Sequence, residues 1–323
     1  MPLNPSIHWL IYTAALFLLE WLYIRYMGAQ LLDMPNERSS HQQPTVRGGG
    51  VIFFFGALIF YVTHGLPFGW FFLGLAAITL LSFLDDRHTL SSSVRLPFQL
   101  LAVMLLLWQA GIMDFHWLII LLAIIVATGI INAYNFMDGI NGITGAYSLV
   151  VIFGLWAFNR IYGFIDPDYL YTVGLANLVF LWFNFRSKGR ALCFAGDVGS
   201  VSMAFLVIFP MSLLIATTEN LLFILLLAVY GVDSVISIIY RLIKRENIFE
   251  AHRTHLYQYL ANEAGWSHQS VSLWYARFQM GFFALLFFGG TSAILTGFVI
   301  YVIAYLVFRQ YIYKKYVAPA EQA

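Results

Sequence analysis

The sequence predicts an all-α membrane protein that crosses the bilayer about eleven times. Of its 323 residues, 61% are hydrophobic and only 10% are charged, whereas about 25% of the residues in a globular protein carry a charge. The apolar residues are continuous over long stretches, and a helix needs roughly 20 of them, or about 17 at the minimum, to cross a bilayer. Eleven stretches meet that length, which predicts a polytopic helical protein.

These stretches define the predicted transmembrane helices and together predict one integral-membrane domain over residues 1–323. The connections between them alternate between the two sides of the membrane, so the charges on the two sides can be compared. The predicted helices cover residues 6–27, 48–64, 68–84, 95–111, 116–132, 143–159, 168–184, 198–216, 220–240, 271–290 and 292–308.

The lysine and arginine residues predict the orientation of the chain. Fifteen of the 17 lie on one side of the membrane, and the other two are Arg160, on the opposite side, and Arg277, inside the tenth helix. Because positive residues are enriched in cytoplasmic connections, we expect the N-terminus outside and the C-terminus in the cytoplasm. The net charge of +1 gives no indication of a nucleic-acid partner.

All the polar clusters fall on the predicted cytoplasmic side, and we expect these loops to build an active site. A protein that only moved a solute would be expected to place polar groups at mid-depth in the membrane. The alternative function is a cation-coupled secondary transporter, in which carboxylates and glycine-broken helices form the path of the ion. The cytoplasmic loops are residues 28–47, 85–95, 133–142, 185–197 and 241–270.

Two adjacent carboxylates, Asp85 and Asp86, end the third apolar stretch. Negative charges at a helix C-terminus oppose the helix dipole, typically by about 0.3 to 1 kcal/mol each, so a functional role is favoured over a simple helix stop. Asp197 lies between two glycines at the start of the eighth stretch, where an aspartate is a common helix N-cap. It is also a hard oxygen ligand that could bind Mg²⁺.

The segment NAYNFMDGINGITG, residues 132–145, carries a polar residue at every third position: Asn132, Asn135, Asp138 and Asn141. If the segment is helical, these residues form a stripe beside a second stripe of glycines, where a ligand or another backbone can approach closely. The alternative is a glycine-rich turn whose amides are satisfied locally. We expect a functional role because three glycines cost about 1 kcal/mol each in a helix.

Four carboxylates on one membrane face need either protons or a cation if they converge. The single cysteine, Cys193, excludes a thiolate cluster, so Mg²⁺ is the expected ion, with Mn²⁺ as an alternative. Basic groups on the same face suit an anionic substrate that carries phosphate. These groups are Arg38, His41, Arg47, Arg95, Arg186, Lys188, Arg190, His252, Arg253 and His255.

The loops together resemble the polyprenyl-phosphate N-acetylhexosamine-1-phosphate transferase family, bacterial glycosyltransferase family 4, which includes relatives of phospho-MurNAc-pentapeptide translocase. The likeness runs from about Asp33 to Gln258, in the order and on the side that the family requires. The matching stretches are PNERSSHQQPTVRGGG, DDRHTLSSSVRLPFQ, NAYNFMDGINGITG, WFNFRSKGRALCFAGDVGS and AHRTHLYQ.

The resemblance implies an enzyme of the bacterial inner membrane, with its active site facing the cytoplasm. The reaction would move an N-acetylhexosamine-1-phosphate from a UDP-sugar to undecaprenyl phosphate, with release of UMP. A homodimer is compatible with the resemblance.

By the same likeness, the site residues divide into metal, acceptor and donor groups. Asp197 would hold Mg²⁺ with support from Asp85 and Asp138, and Asp85 or Asp86 would deprotonate or position the lipid phosphate. The donor would contact Arg47, Asn135, Asp138, Asn141, Phe194, His252, Arg253 and His255, with Phe194 stacked on the uracil.

Two features of the sequence predict the branch of the family. The HRTH stretch, residues 252–255, differs from the denser histidine cluster of the translocase branch, and Asn141 stands where that branch has an acid. The PNERSSH and RGGG sequences resemble the branch that starts O-antigen synthesis. Donors of that branch are UDP-N-acetylfucosamine, UDP-N-acetylquinovosamine or UDP-GlcNAc, and the sequence does not choose among them.

Overall fold

The computed structural model describes residues 5–28, 30–34, 43–247 and 253–321, and this part of the chain forms a bundle of helices. Short 3₁₀ or π-helical segments at residues 49–51, 112–114, 221–227, 259–263 and 313–317 extend or join the α-helices. The α-helices are α1 (Pro5–Met27), α2 (Ile52–Thr63), α3 (Gly69–His88), α4 (Ser92–Gln109), α5 (Trp117–Met137), α6 (Ile143–Tyr162), α7 (Pro167–Asn184), α8 (Gly196–Thr218), α9 (Ala228–Ile243), α10 (Leu256–Gln258), α11 (His268–Phe288), α12 (Thr291–Ile312) and α13 (Ala318–Glu321).

The predicted all-α polytopic fold is confirmed. Each of the eleven predicted stretches coincides with a helix, namely α1 to α9, α11 and α12. Within the described part of the chain, eight helical segments are long and apolar enough to cross a membrane, and residues 49–63 and 93–109 form shorter apolar helices. The orientation in the membrane stays a prediction.

Helix α8 lies at the centre of the bundle. It packs against α3, α5, α6 and α2, and the residues along most of its length are buried on all sides. A helix that is apolar around its whole circumference is surrounded either by protein or by lipid, and here the neighbouring helices surround it. The N-terminus of α8 is therefore held rigidly by its neighbours, and this is where Asp197 lies.

A small β-structure lies at the same end of the bundle as the start of α8. Strands β1 (Leu32–Asp33) and β2 (Thr45–Val46) pair antiparallel, and Val46 forms a parallel bridge with Cys193. The sequence analysis predicts only helices and misses this pairing, because strands of two residues carry no periodic signal. The pairing aligns the residues after Val46 with the residues after Cys193.

The NAYNFMDGINGITG segment is not a continuous helix, so the two stripes that a helix would form are interrupted and the alternative of a glycine-rich turn describes residues 138–142. Helix α5 ends at Met137 and α6 begins at Ile143. Gly142 has a φ of +84°, a left-handed conformation that favours glycine, and its N–H donates to Asn184 Oδ1 at 2.6 Å. The segment is a turn that presents Asp138 at the end of α5.

Candidate active site

The carboxylate of Asp86 joins the end of α3 to the beginning of α8. Its two oxygens accept hydrogen bonds from the backbone N–H groups of Asp197 and Val198, each at 2.9 Å, and the side chain is fully buried. The first N–H groups of a helix have no partner within it and attract negative charge. Asp86 therefore fixes the N-terminus of α8 and the position of Asp197.

Arg47 bridges the two carboxylates that meet at this point. Its Nε lies 2.6 Å from Asp86 Oδ1, and its Nη2 lies 3.0 Å from Asp197 Oδ1. Burial alone would lower the pKa of Arg47, but the charges of Asp86 and Asp197 outweigh it and raise this pKa above its ordinary value. The guanidinium is therefore a permanent positive charge, and 35% of its side chain is exposed.

Backbone pairing brings Arg47 to this position. The Phe194 N–H donates to the Val46 carbonyl at 2.8 Å, and the Gly49 N–H donates to the Phe194 carbonyl at 2.9 Å. The hydroxyl of Tyr23, on α1, donates to the Arg47 carbonyl at 2.9 Å. Phe194, predicted to stack on uracil, thus has its backbone in this pairing while its side chain is half-buried beside the site.

Glycines permit the close contact of the two segments. Gly196 has a φ of +71°, and a Cβ added there would lie 2.6 Å from Asp86 Oδ2 and 2.9 Å from the backbone N of Gly48. Gly199 faces Gly50, and a Cβ on Gly199 would come 2.6 Å from the Gly50 Cα. The RGGG and GDVG sequences pack backbone to backbone at Gly50, Gly196 and Gly199, so a side chain at any of these three positions would push the two segments apart.

A second arginine, Arg95 on α4, pairs with the other carboxylate of the DD sequence. Arg95 Nη1 lies 2.9 Å from Asp85 Oδ2 and 3.8 Å from Asp197 Oδ2, and 40% of its side chain is exposed. The Leu90 N–H also donates to Asp85 Oδ1. The sequence analysis places Arg95 among the basic groups of this face but not among the site residues; the structure adds it to the cluster.

Asp138 caps the end of α5 and is the fourth carboxylate of the cluster. Burial raises its pKa to about 7, the hydrogen bond from Thr144 lowers it, and the charges of Asp86 and Arg47 act on it in opposite directions. Thr144 Oγ1 donates to Asp138 Oδ1 at 2.6 Å. Thr144 is a site residue that the sequence analysis misses, and its only signal in the sequence is its place six residues after Asp138, in the first turn of α6.

Thr144→Val should shift the acidic side of the pH–rate profile to higher pH. The hydrogen bond from Thr144 favours the ionised carboxylate, so its loss raises the pKa of Asp138 above about 7. A carboxylate that binds a metal or the donor must be ionised, so we expect activity to be lost as the pH falls through this pKa. We expect the limb of the pH–rate profile to move up by about one pH unit, and Thr144→Ser to keep the original limb. An unchanged profile for Thr144→Val would contradict the role of this hydrogen bond.

Two predicted donor-site amides lie beside the cluster. Asn135 Oδ1 accepts a hydrogen bond from Ser200 Oγ at 3.4 Å, which ties α5 to the first turn of α8. Asn141 is buried, and its Nδ2 donates to the carbonyls of Arg186 and Ser187 at 3.0 and 3.1 Å. Both donor hydrogens of Asn141 therefore hold the loop that precedes Cys193.

The predicted histidine segment packs against the end of α5. His255 Nδ1 lies 3.0 Å from Asp233 Oδ1, and both side chains are buried. The Tyr257 hydroxyl donates to the Phe136 carbonyl at 2.8 Å. Arg253 is half-buried in the same segment, and His252 lies outside the described residues.

The oxygen donors of the cluster suit Mg²⁺ or Mn²⁺, but they are arranged around arginines. Both oxygens of Asp86 are already bonded, while 17% of the Asp197 side chain is exposed. Among the described residues, the one group with three potential ligand atoms within 4.8 Å of one another is at the other end of the bundle, at His64, Asp166 and Asp168. A metal at the candidate site would therefore take few protein ligands and complete its shell with phosphate oxygens and water, as Mg²⁺ commonly does.

Fold and site together define a polytopic helical membrane protein with a carboxylate and arginine cluster at one end of the bundle. A family model described as Glycosyl transferase family 4 matches residues 68–216. This range runs from α3 to α8 and contains all four aspartates of the cluster. This match and the similar proteins support the family that the loops resemble.

Similar proteins carry related names. A probable undecaprenyl-phosphate N-acetylglucosaminyl 1-phosphate transferase of Bacillus subtilis (strain 168) is 27% identical over 252 residues, which cover 71% of this chain and 69% of that protein. The undecaprenyl-phosphate alpha-N-acetylglucosaminyl 1-phosphate transferase of Escherichia coli (strain K12) is 29% identical over 220 residues, and that of Yersinia pestis is 29% identical over 223 residues. The chain spans 56% of the length of each of these two proteins.

Proposed function

We propose that this protein transfers an N-acetylhexosamine-1-phosphate from a UDP-sugar to undecaprenyl phosphate and thereby starts the synthesis of O-antigen or a related surface polysaccharide. The observation that carries the proposal is the cluster in which Arg47 and Arg95 join Asp85, Asp86 and Asp197 at one end of the bundle. The names of the similar proteins support the same reaction. The inner-membrane location and the cytoplasmic orientation belong to this proposal and rest on the distribution of positive charge.

The reaction joins two anions at one phosphorus atom. An oxygen of the lipid phosphate would attack the phosphorus that carries the sugar, and the bond from this phosphorus to the UMP oxygen would break. UMP leaves with the electron pair of that bond, and the product is undecaprenyl-diphosphate-sugar. Such a step depends on charge neutralisation and in-line positioning rather than on covalent chemistry by the protein.

The arginines and carboxylates would divide this work. Arg47 and Arg95 have exposed guanidinium surface and would bind phosphate oxygens, for which their planar donors are well suited. A bound Mg²⁺, held by Asp197 with Asp138, would supply further positive charge at the transferring phosphorus. Asp86 positions Asp197 and Arg47, and Asp85 positions Arg95. An ionised phosphate needs no general base, so these two carboxylates would act as positioning residues.

The lipid acceptor has a matching surface next to the cluster. An apolar groove of about 660 Å³ runs between α5 and α9 and is lined by Gly129, Phe136, Gly231, Val235 and Val302. Phe136, which lines the groove, is two residues before Asp138 in the sequence, so this part of the groove lies near the cluster. We assign the polyprenyl chain to this groove, because it would let the phosphate reach the site while the chain stays in the bilayer.

Gly231→Trp should weaken the use of the lipid acceptor. Apart from its own stretch of α9, no described atom lies within 4 Å of a Cβ added at Gly231, so a side chain there has open space beside the groove to enter. We expect the KM for the lipid to rise about tenfold, a loss of about 1.4 kcal/mol of binding, while the KM for the UDP-sugar stays the same. Gly281→Trp is the matched control, since Gly281 on α11 is equally open and lies outside the groove. Equal lipid KM values for the two variants would contradict the assignment.

UMP release by the purified protein tests the proposed function. The protein receives undecaprenyl phosphate and one of three donors: UDP-GlcNAc, UDP-N-acetylfucosamine or UDP-N-acetylquinovosamine. We expect release that requires both the lipid and a divalent metal, is abolished by EDTA, and is fastest with the natural donor. Release without the lipid would indicate a hydrolase and overturn the proposal.

A further inference from the structure

A second cluster of cationic residues lies where α9 and α12 end, outside the candidate active site. It surrounds a cavity of about 90 Å³ between the two helices and the segment that begins at Arg253. Among the residues that the structure describes, three cations, Arg241, Lys244 and Arg309, and one anion, Glu246, line this cavity, and their charges sum to +2. None of the cavity-lining residues belongs to the carboxylate and arginine cluster.

Arg309 is buried in the wall of this cavity, and one of its guanidinium donors has no hydrogen-bond partner among the described residues. Only 5% of the residue is exposed. Its Nη2 donates to the Thr254 carbonyl at 2.8 Å, and its guanidinium lies 4.2 Å from the centre of the Tyr240 ring and 5.5 Å from that of the Tyr259 ring. Its Nε is buried and has no hydrogen-bond partner among the described residues. A buried charged donor left unpaired costs more than a neutral one.

Thr254 supplies a second unpaired group in the same cavity. Its Oγ1 is buried and lacks a hydrogen-bond partner in the described part of the chain, although its carbonyl accepts from Arg309. Arg241, by contrast, is already held by Glu246 at 3.1 Å and by the Asn247 carbonyl at 2.6 Å. The cavity therefore combines net positive charge with two buried, unsatisfied groups, one a guanidinium N–H and one a hydroxyl.

We propose that this cavity is a second anion site that binds a phosphate group, either the headgroup phosphate of an anionic lipid or free inorganic phosphate. Phosphate oxygens accept hydrogen bonds from both a guanidinium N–H and a hydroxyl, and the charge-assisted bond from the guanidinium is the stronger of the two. One water needs roughly 10 to 15 Å³ of such space, so a cavity of about 90 Å³ holds a tetrahedral oxyanion. Because α12 is long and apolar enough to cross a membrane, we expect the site at its end to lie near the membrane surface, where both sources of phosphate are present.

An anion at this site would stabilise the segment that closes over the end of α5. Thr254 precedes His255, which is fixed to Asp233, and Tyr257 donates to the Phe136 carbonyl. The phosphate would thus join α9, α12 and this segment at a single point. We expect its binding to raise the thermal stability of the protein, because a ligand that binds only the folded state stabilises it by mass action.

The test measures the unfolding midpoint of the full-length protein in neutral detergent as inorganic phosphate is added at constant ionic strength. A second arm uses nanodiscs of phosphatidylcholine with and without phosphatidylglycerol. Stabilisation by phosphate in detergent identifies a free-phosphate site, and stabilisation only by phosphatidylglycerol identifies a lipid-headgroup site. No stabilisation in either arm overturns the proposal.

Variants separate this cavity from the candidate active site, which could also bind phosphate. Lys244→Gln and Arg309→Gln should weaken the apparent affinity about tenfold or more, the effect of losing one charge-assisted interaction. Arg47→Gln and the exposed Arg277→Gln should leave the cavity's affinity unchanged. If Arg309→Gln does not fold, Lys244→Gln decides the question, because Lys244 is exposed. If Lys244→Gln bound phosphate with wild-type affinity, or if Arg47→Gln were the one variant that lost phosphate binding, the phosphate would lie elsewhere and the proposal would be contradicted.

Discussion

Asp197→Asn should reduce turnover by at least about 100-fold, the cost of removing one electrostatic group that acts on the transition state. Asp197 lies at the N-terminus of α8 with an exposed carboxylate edge that faces both arginines. The amide has nearly the same shape but carries no charge, so it would bind the proposed metal and the guanidinium of Arg47 much more weakly. Initial rates of UMP release at saturating lipid and donor measure the effect.

The protein should still fold after this change. Asp86 binds the backbone N–H of Asp197 and not its side chain, so the cap of α8 survives the substitution. Asp114→Asn is the matched control, since Asp114 is an exposed aspartate in the connection before α5. Retention of most activity by Asp197→Asn, with the variant as stable as the control, would show that the site lies elsewhere.

Arg47→Lys should also cost about 100-fold in activity although it keeps the positive charge. Arg47 reaches Asp86 through Nε and Asp197 through Nη2, and the single ammonium of lysine cannot make both contacts in the same geometry. The carboxylates would lose the group that holds them together, and the substrate phosphate would lose a planar donor. The kcat and the KM for the UDP-sugar should both change.

A neighbouring arginine provides the control for this prediction. Arg87 follows Asp86 in the sequence and is exposed at the end of α3, so Arg87→Lys tests the same chemical change outside the cluster. We expect near wild-type rates for Arg87→Lys. Equal losses in the two variants would mean that the change acts through general surface charge and not through the bridge between Asp86 and Asp197.

The sequence predicts the eleven helices because each of them corresponds to a long continuous stretch of apolar residues. Each helix must satisfy its own backbone groups within the membrane, so a continuous apolar run is sufficient to locate it. The parallel pairing of Val46 with Cys193 is different, because it joins residues almost 150 positions apart through two-residue strands. No local pattern in the sequence marks such a contact.

The sequence predicts which types of residue form the candidate site, but it does not predict what each residue contacts or does there. The four aspartates stand out because charge is scarce in this chain. Their geometry depends on contacts between distant segments, such as the bond of Asp86 to the N-terminus of α8 and that of Thr144 to Asp138. His255 shows the same limit, since its sequence neighbours do not reveal that it pairs with Asp233 on α9.

The transporter alternative predicts a different accessibility of the cluster. Single cysteines at positions 85, 138 and 197, in a chain whose natural Cys193 has been replaced, can be labelled with an impermeant reagent from either side of sealed vesicles. An enzyme site at one surface predicts labelling from the cytoplasmic side alone. Labelling that alternates between the two sides would favour the transporter.

The fate of the two phosphorus atoms of the donor tests the central claim most directly. Purified protein and undecaprenyl phosphate are incubated with UDP-GlcNAc, or the best donor found, labelled in separate reactions on the sugar, on the phosphorus attached to the sugar and on the phosphorus attached to uridine. Transfer of a sugar-1-phosphate predicts that the first two labels enter the lipid fraction together and that the third leaves as UMP. Entry of the sugar label alone, with release of UDP, would contradict the account.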